Sequence, residues 1–373
     1  MTTRFWLEVG PLREGDFTGL SQVTAALADR MVRQSGRAVG FFYGRAVVPD
    51  DVVAAILDQG EGEQIEFYLA RAEPVAPATD CGEAHVAIFP NRKTCRRGFD
   101  LETQIVHDLS ALLTPQFHDR HVVAFHAQSL ADDVRGNDLT FCVSEATRDD
   151  VLRYLDPPDP ARVVTVPLGP GLPGVPMAVQ VPAGLAAEPY VVVLGTVEPR
   201  KNIEQVLQFL SEQPRILTAL RFVFLGRHGW GAAPGALLER HGLTGAALAG
   251  RVLFPGYVSA TVRDALVARA RLLIYPSLFE GFGLPVLEAL HAGTPCLTTR
   301  SSSLPEVGGE VCAYFDPFVP GDFGRGLAQA LQDTPARQAA RRGWAARFGW
   351  DRCWETIASA IEAVVPTVRT GMR

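Results

Sequence analysis

No stretch of the 373-residue chain approaches the roughly 18 consecutive apolar residues that a membrane-spanning helix needs. The opening run, MTTRFWLEVGPLREGDFTG, has no apolar signal core. A cationic excess is missing as well: 35 Lys and Arg stand against 41 Asp and Glu, for a formal net charge of −6. Nucleic acid is disfavoured as a partner, because a phosphate backbone calls for a basic face. Cysteine is sparse. Cys81, Cys95, Cys142, Cys296, Cys312 and Cys353 lie far apart, and none forms a C-x-x-C pair. Zinc and redox-motif readings therefore lack support, and reduced thiols fit an intracellular setting. Repeats and low-complexity tracts are also wanting. The expected location is cytoplasmic, at most peripheral to the cytoplasmic membrane face.

What is present is globular. The chain is 47% hydrophobic and 20% charged, and its length suits two domains. Short β-rich runs alternate with helical patterns. The first series is RFWLEV (4–9), AVGFFY (38–43), HVAIF (85–89), TQIVHD (103–108), LTFCVS (139–144) and RVVTVP (162–167). A second is YVVVLG (190–195), RFVFLG (221–226), RVLFPG (251–256), RLLIYPS (271–277) and TPCLTT (294–299). Helical segments such as 19–33 and 202–210 lie between them. Alternation of this kind predicts parallel sheets with helices on both faces.

Between the two series, residues 167–189 hold six prolines and four glycines. Such a segment suits neither a helix interior nor a central strand. It divides the chain into residues 1–175 and 176–349, each Rossmann-like, and leaves 350–373 as a closing helix. In that helix Trp354, Ile357, Ile361 and Val365 share one face. GPGLPG (169–174) satisfies G-x-G-x-x-G, but its prolines prevent the helix that would receive a dinucleotide pyrophosphate.

Ligands of open parallel sheets bind beyond the carboxyl ends of the strands. In VLGTVEPRKNIEQVLQFL (193–210), Arg200 and Lys201 stand just before a helix whose expected cap is Asn202, with Gln205 in capping-box spacing. A helix start and two cations suit a diphosphate, while the plain alternative is a solvated basic turn. In LFEGFGLPVLEALHAGTPCLTT (278–299), Pro285 starts a helix, Gly293 stops it, and Glu288 is expected in its first turn. Glu280 lies in the glycine-rich loop before it. Carboxylates accept hydrogen bonds from vicinal hydroxyls, as on sugars and ribose. By residue chemistry alone, both glutamates also admit purely electrostatic or solvent-exposed roles. Thr18 is an expected cap for a helix opening at Gly19. His107 and Asp108 end a strand, and His126 lies further on. NRKTCRR (91–97), with four cations, reads as a solvated loop or as a contact for an anionic acceptor or membrane surface.

The order GTVEPRKN, FPGYVS (254–259), EGFGLPVLE and SLPEVGG (303–309) resembles the retaining, nucleotide-sugar-dependent glycosyltransferases of family four. Looser likeness extends to TGLS near the start, VHDLS, and VSEATR (143–148). The resemblance implies an α/β, GT-B fold: two Rossmann-like domains with parallel sheets facing an interdomain cleft, the last helix returning to the N-terminal domain. It implies that Arg200 and Lys201 bind the donor diphosphate, that Glu288 holds the ribose hydroxyls, and that Glu280 sits beside the donor sugar. Gly281, Phe282, Gly283 and Leu284 form the loop whose backbone meets sugar or phosphate. Val258 lies near the base, and Thr196 stands where relatives often carry an additional arginine. Gly19 and His107 match positions facing donor and acceptor. The chain has no D-x-D, the usual metal-bearing motif of glycosyltransferases, so the cationic pair is expected to stabilise the leaving group with neither metal nor cofactor.

HDLS with GTVEPRKN resembles bacterial mannosyl- or rhamnosyltransferases of surface polysaccharides. Those likenesses favour GDP-mannose as donor and a glycan or lipid-linked acceptor, with peripheral contact at the inner membrane. Two other readings compete: a nucleotide-sugar epimerase on a similar fold, and a non-catalytic nucleotide-sugar or glycan binder.

Overall fold

The computed structural model describes residues 2–13, 19–34, 36–59, 83–171, 184 and 188–371. Two compact units emerge. One comprises Met1–Leu109, Ala124–Pro173 and Phe348–Arg373; the other comprises Ser110–Val123 and Gly174–Arg347.

The first unit holds β1 (Thr2–Glu8), β2 (Ala38–Tyr43), β3 (Ala46–Val48), β4 (Glu83–Phe89), β5 (Leu101–Val106), β6 (Leu139–Cys142) and β7 (Val163–Thr165). Their order is β3-β2-β1-β4-β5-β6-β7. All neighbours run parallel except β2 and β3, an antiparallel hairpin turned at Gly44. Sequence pattern misses β3, which is only three residues long. The closing helix, Trp350–Gly371, packs within this unit. Trp354, Ile357, Ile361 and Val365 are all buried, and the Trp354 ring meets Phe5 edge-on at 5.4 Å. Arg37 brackets the same helix, reaching Glu355 at 2.9 Å and Glu362 at 2.8 Å.

The second unit holds β8 (Tyr190–Leu194), β9 (Arg221–Leu225), β10 (Val252–Gly256), β11 (Leu272–Tyr275), β12 (Cys296–Thr299) and β13 (Ala313–Phe315). The order β10-β9-β8-β11-β12-β13 is parallel throughout, the doubly wound arrangement. Because helices cover both faces, β8 and β11 read as unbroken apolar runs, YVVVL and LLIY. On one face the helix Ile203–Glu212 lays down Ile203, Val206, Leu207 and Leu210 at one-face spacing against Val191, Val193, Phe222 and Ile274. Strand order reverses between β8 and β11, so a crevice opens beyond their carboxyl ends.

The start of the proline-rich segment carries no helix. Gly169 lies against Trp350, and the Trp350 indole donates to the Gly171 carbonyl at 3.0 Å. The remainder of GPGLPG, and the expected cap Thr18, lie outside the described residues.

Candidate functional site

Beyond β8 the chain enters a 3-10 turn, Pro199–Lys201, and then the helix Ile203–Glu212. Asn202, between them, is left-handed (φ 52°) and caps nothing with its side chain. A capping side chain needs an extended backbone to aim its oxygen at the first amides. The Asn202 amide donates instead to Gln205 Oε1 at 2.7 Å, and the Gln205 amide donates to the Pro317 carbonyl at 3.0 Å. The expected capping box is thus replaced by a side-chain relay.

That turn meets the loop beyond β11. Leu278 N donates to the Arg200 carbonyl at 2.9 Å, tying the two segments together. Arg200 donates through Nη1 to the Phe279 carbonyl at 2.9 Å and through Nη2 to Glu198 Oε1 at 3.1 Å. Its Nη1 also lies 3.4 Å from Glu280 Oε2. Lys201 Nζ reaches Glu280 Oε1 at 2.5 Å and the Tyr275 hydroxyl at 2.9 Å. The Ser277 hydroxyl donates to the same Glu280 oxygen. From below, Ser302 Oγ accepts from Glu280 N at 2.8 Å, and the Ser303 hydroxyl lies 2.9 Å from the carbonyls of both Glu280 and Phe282.

Glu280 is only 9% exposed. Burial would raise its carboxyl, but the Lys201 and Arg200 charges, with hydrogen bonds from Lys201 and Ser277, bring it from 4.5 to about 2. Burial likewise pushes the Lys201 ammonium down, against the pull of Glu280. Arg200 and Lys201 are therefore not a bare basic turn. Glu198 and Glu280 balance their charges before any ligand arrives.

Gly281, Phe282 and Gly283 carry the chain from Glu280 to the helix Leu284–Ala292. Gly283 is left-handed (φ 105°) at the helix start, and Gly293 (φ 84°) stops the helix. Pro285 opens the helix as expected, but its first turn holds no acidic residue. Glu288 lies in the second turn, where the helix dipole alone gives it less reason to be. Its Oε1 is 3.3 Å from Arg263 Nη2, on the helix Ala260–Arg269. Val258 precedes that helix, whose cap is Ser259. Thr196 lies in the loop after β8, its methyl under Gly229.

Gly19 and His107 belong to the first unit. Gly19 opens the helix Gly19–Gln34, exposed, with open space where a side chain would stand. His107 follows β5, and its Nε2 is 2.7 Å from the Pro90 carbonyl. A carbonyl only accepts, so Nε2 carries the proton. Burial lowers the ring's pKa, outweighing the Pro90 bond and Asp108, so the neutral ring offers Nδ1 as an acceptor. Thr147 Oγ1 donates to the His107 carbonyl at 3.0 Å, which ties VSEATR to this strand end. Burial lowers His126 also.

NRKTCRR is less solvated than its composition suggests. The Lys93 side chain is 2% exposed and bonds Glu102 at 3.0 Å, and Arg96 Nη2 holds the buried Asp133 at 2.5 Å. The Arg92 guanidinium stacks over Phe125 at 3.7 Å. Two of its four cations thus hold the first unit together.

Residues 183–345 match the model of the family described as Glycosyl transferases group 1. The O-antigen chain mannosyltransferase B of Escherichia coli is 33% identical over 259 residues, 66% of this chain and 66% of that protein. Residues 183–345 belong to the group 1 glycosyl transferases. A second relative, the serotype-specific mannosyltransferase WbdA of Escherichia coli, is 29% identical over 260 residues, 66% of this chain but only 31% of that protein. The match thus spans just under two thirds of the first relative and about a third of the second. Among solved structures, sucrose-phosphate synthase from Thermosynechococcus elongatus aligns over 98% of this chain and 100% of its own, with a TM-score of 0.66 and 15% identity. That likeness concerns the fold, which is GT-B.

The sequence pattern does not single out Glu198, Tyr275, Ser277, Ser302, Ser303 or Arg263 as site residues. Glu198, Tyr275 and Ser277 carry a signal after the fact, since each lies within a few residues of a strand's carboxyl end at the reversal of strand order. Arg263 carries none, being one more arginine on an amphipathic helix.

Proposed function

We propose that the protein transfers a hexosyl group, best read as mannose from GDP-mannose, with retention, to a glycan or lipid-linked acceptor in bacterial surface polysaccharide synthesis. The observation that carries this reading is the buried Arg200–Lys201–Glu280 cluster at the reversal point of the second sheet. The two mannosyltransferase relatives support the choice of sugar.

In this reading the donor diphosphate lies over the Pro199–Lys201 turn. Lys201 spends two of its three N–H groups on Tyr275 and Glu280, and the third suits a phosphate oxygen. The internal carboxylates keep both cations fixed in the absence of donor, so little reorganisation accompanies departure of the nucleoside diphosphate. Glu280 acts mainly by holding Lys201 and Arg200, with its loop beside the sugar. Glu288 accepts from the ribose hydroxyls, Val258 lies by the base, and Thr196 and the Gly281–Leu284 backbone line the donor. Gly19 and the unprotonated His107 Nδ1 serve from the first domain. The domains are those named above, 1–175 and 176–349, with the helix 350–373 returning to the first.

The C1–phosphate bond breaks through an oxocarbenium-like state while the acceptor oxygen bonds C1 from the same face. The departing phosphate oxygen takes the acceptor proton. No described helix is long and apolar enough to cross a membrane. Access to a lipid-linked acceptor is accordingly proposed through peripheral contact at the cytoplasmic face.

The test is incubation of GDP-mannose with a mannose-terminated oligosaccharide, followed by NMR of the product's anomeric centre. An α-linked product and released GDP are expected. A β-linked product, a trapped mannosyl-enzyme, or conversion of the donor with acceptor omitted would overturn the proposal.

A further inference from the structure

Glu288 is held from a second helix. Arg263 puts Nη2 3.3 Å from Glu288 Oε1 and 2.8 Å from Asp264 Oδ1, while its Nε donates to the same Asp264 oxygen at 2.8 Å. The Arg263 side chain is 22% exposed and that of Glu288 11%. A guanidinium withdrawn to this depth loses hydration that only close partners replace. Asp264 pins it from one side and Glu288 receives it on the other. The chain Asp264–Arg263–Glu288 thus fixes a carboxylate 25 residues away in sequence. The helix that carries Arg263 begins at the Ser259 cap, directly after Tyr257 and Val258. Tyr257 itself is exposed, with the Arg227 guanidinium 4.5 Å above its ring.

A glutamate side chain receives two vicinal hydroxyls only in a narrow set of rotamers. Ordering it in advance removes that entropy loss from the binding step. We infer that Arg263 is a positioning residue which orients the Glu288 carboxylate toward the donor's ribose, and through it sets a preference for ribo- over 2′-deoxyribonucleotides. The inference rests on the donor-site reading above. Arg263 touches the carboxylate rather than the reacting atoms, so its removal acts on recognition of the sugar ring of the nucleoside and leaves the diphosphate contacts in place.

Calorimetric titration of the full chain with GDP, UDP and ADP, each beside its 2′-deoxy counterpart, tests this. Wild type is expected to bind one ribonucleotide about ten times more tightly than its 2′-deoxy form. In Arg263→Leu the ribonucleotide should weaken about tenfold, the 2′-deoxy form less than twofold, so the preference disappears. Arg263→Lys should restore part of it. Adding Arg263→Leu to Glu288→Gln should cost nothing further. Equal weakening of both nucleotides, or an undiminished preference in Arg263→Leu, overturns the inference while leaving the donor site standing. Failure of wild type to bind any of the ribonucleotides overturns the donor-site reading itself.

Discussion

Glu280 is drawn two ways. Burial favours its neutral form, and two cations favour its charge; the cations win, leaving it at about 2. The sign follows from linkage. A carboxyl lowered from 4.5 to about 2 contributes stability that is fully present above 4.5 and is lost as pH falls through 2. Glu280→Ala strands Lys201 and Arg200 in a buried site. Breaking such a pair from one side typically costs about 3–5 kcal/mol, and urea unfolding should show a loss of that order. Lys201→Ala leaves Glu280 with Arg200 and is expected to be milder for folding. Its transfer rate should fall at least about a hundredfold, as when a single oxyanion donor is removed, and initial rates with GDP-mannose would check this. Glu8, at the end of β1, is the opposite case. Burial, opposed by its Gly10 amide bond and Arg13, raises it from 4.5 to about 8. Its contribution is complete below 4.5 and is lost as pH rises through 8. Glu8→Gln should flatten the decline in melting temperature between those values. An unchanged decline would assign it to other groups.

Among the elements, the loop between β11 and the helix Leu284–Ala292 is tightly constrained. Gly283 takes φ 105°, and a Cβ there would lie 2.9 Å from Leu304 Cδ2. Gly283→Ala should cost about 1–3 kcal/mol by thermal or urea melting and weaken donor binding along with it. Much of this element is legible in sequence: proline opens the helix, glycine closes it, and the strand before it is a plain apolar run. What is not legible depends on tertiary partners. Asn202 looks like a cap, but its backbone is left-handed. Glu288 looks like a dipole-stabilised first-turn residue, but lies one turn later and answers to Arg263. Lys93 looks solvated and is buried on Glu102. In each case local pattern gives the residue type its usual role, and the folded backbone or a partner outside that pattern assigns another. Strands β3 and β13 escape for a simpler reason, because three residues show no period.

For the whole molecule, the first unit depends on both ends of the chain. Trp354, 2% exposed on the closing helix, fills the space over Phe5. Trp354→Ala should cost about 3–5 kcal/mol, read by denaturant unfolding, with the donor-side residues of the second unit untouched. The parallel sheets and the closing helix are legible in the alternating runs and in the one-face spacing of Trp354, Ile357, Ile361 and Val365. In the proposed function, the reversal point of the second sheet holds a nucleoside diphosphate through a pre-balanced cation cluster. The most direct measurement is the shift in unfolding free energy of wild type and Lys201→Ala with GDP. At about 100 times its dissociation constant, GDP should stabilise the wild type by about 2.7 kcal/mol. The same concentration should stabilise Lys201→Ala far less. Equal stabilisation of the two proteins, or none in the wild type with GDP, UDP, dTDP or ADP, would contradict the account.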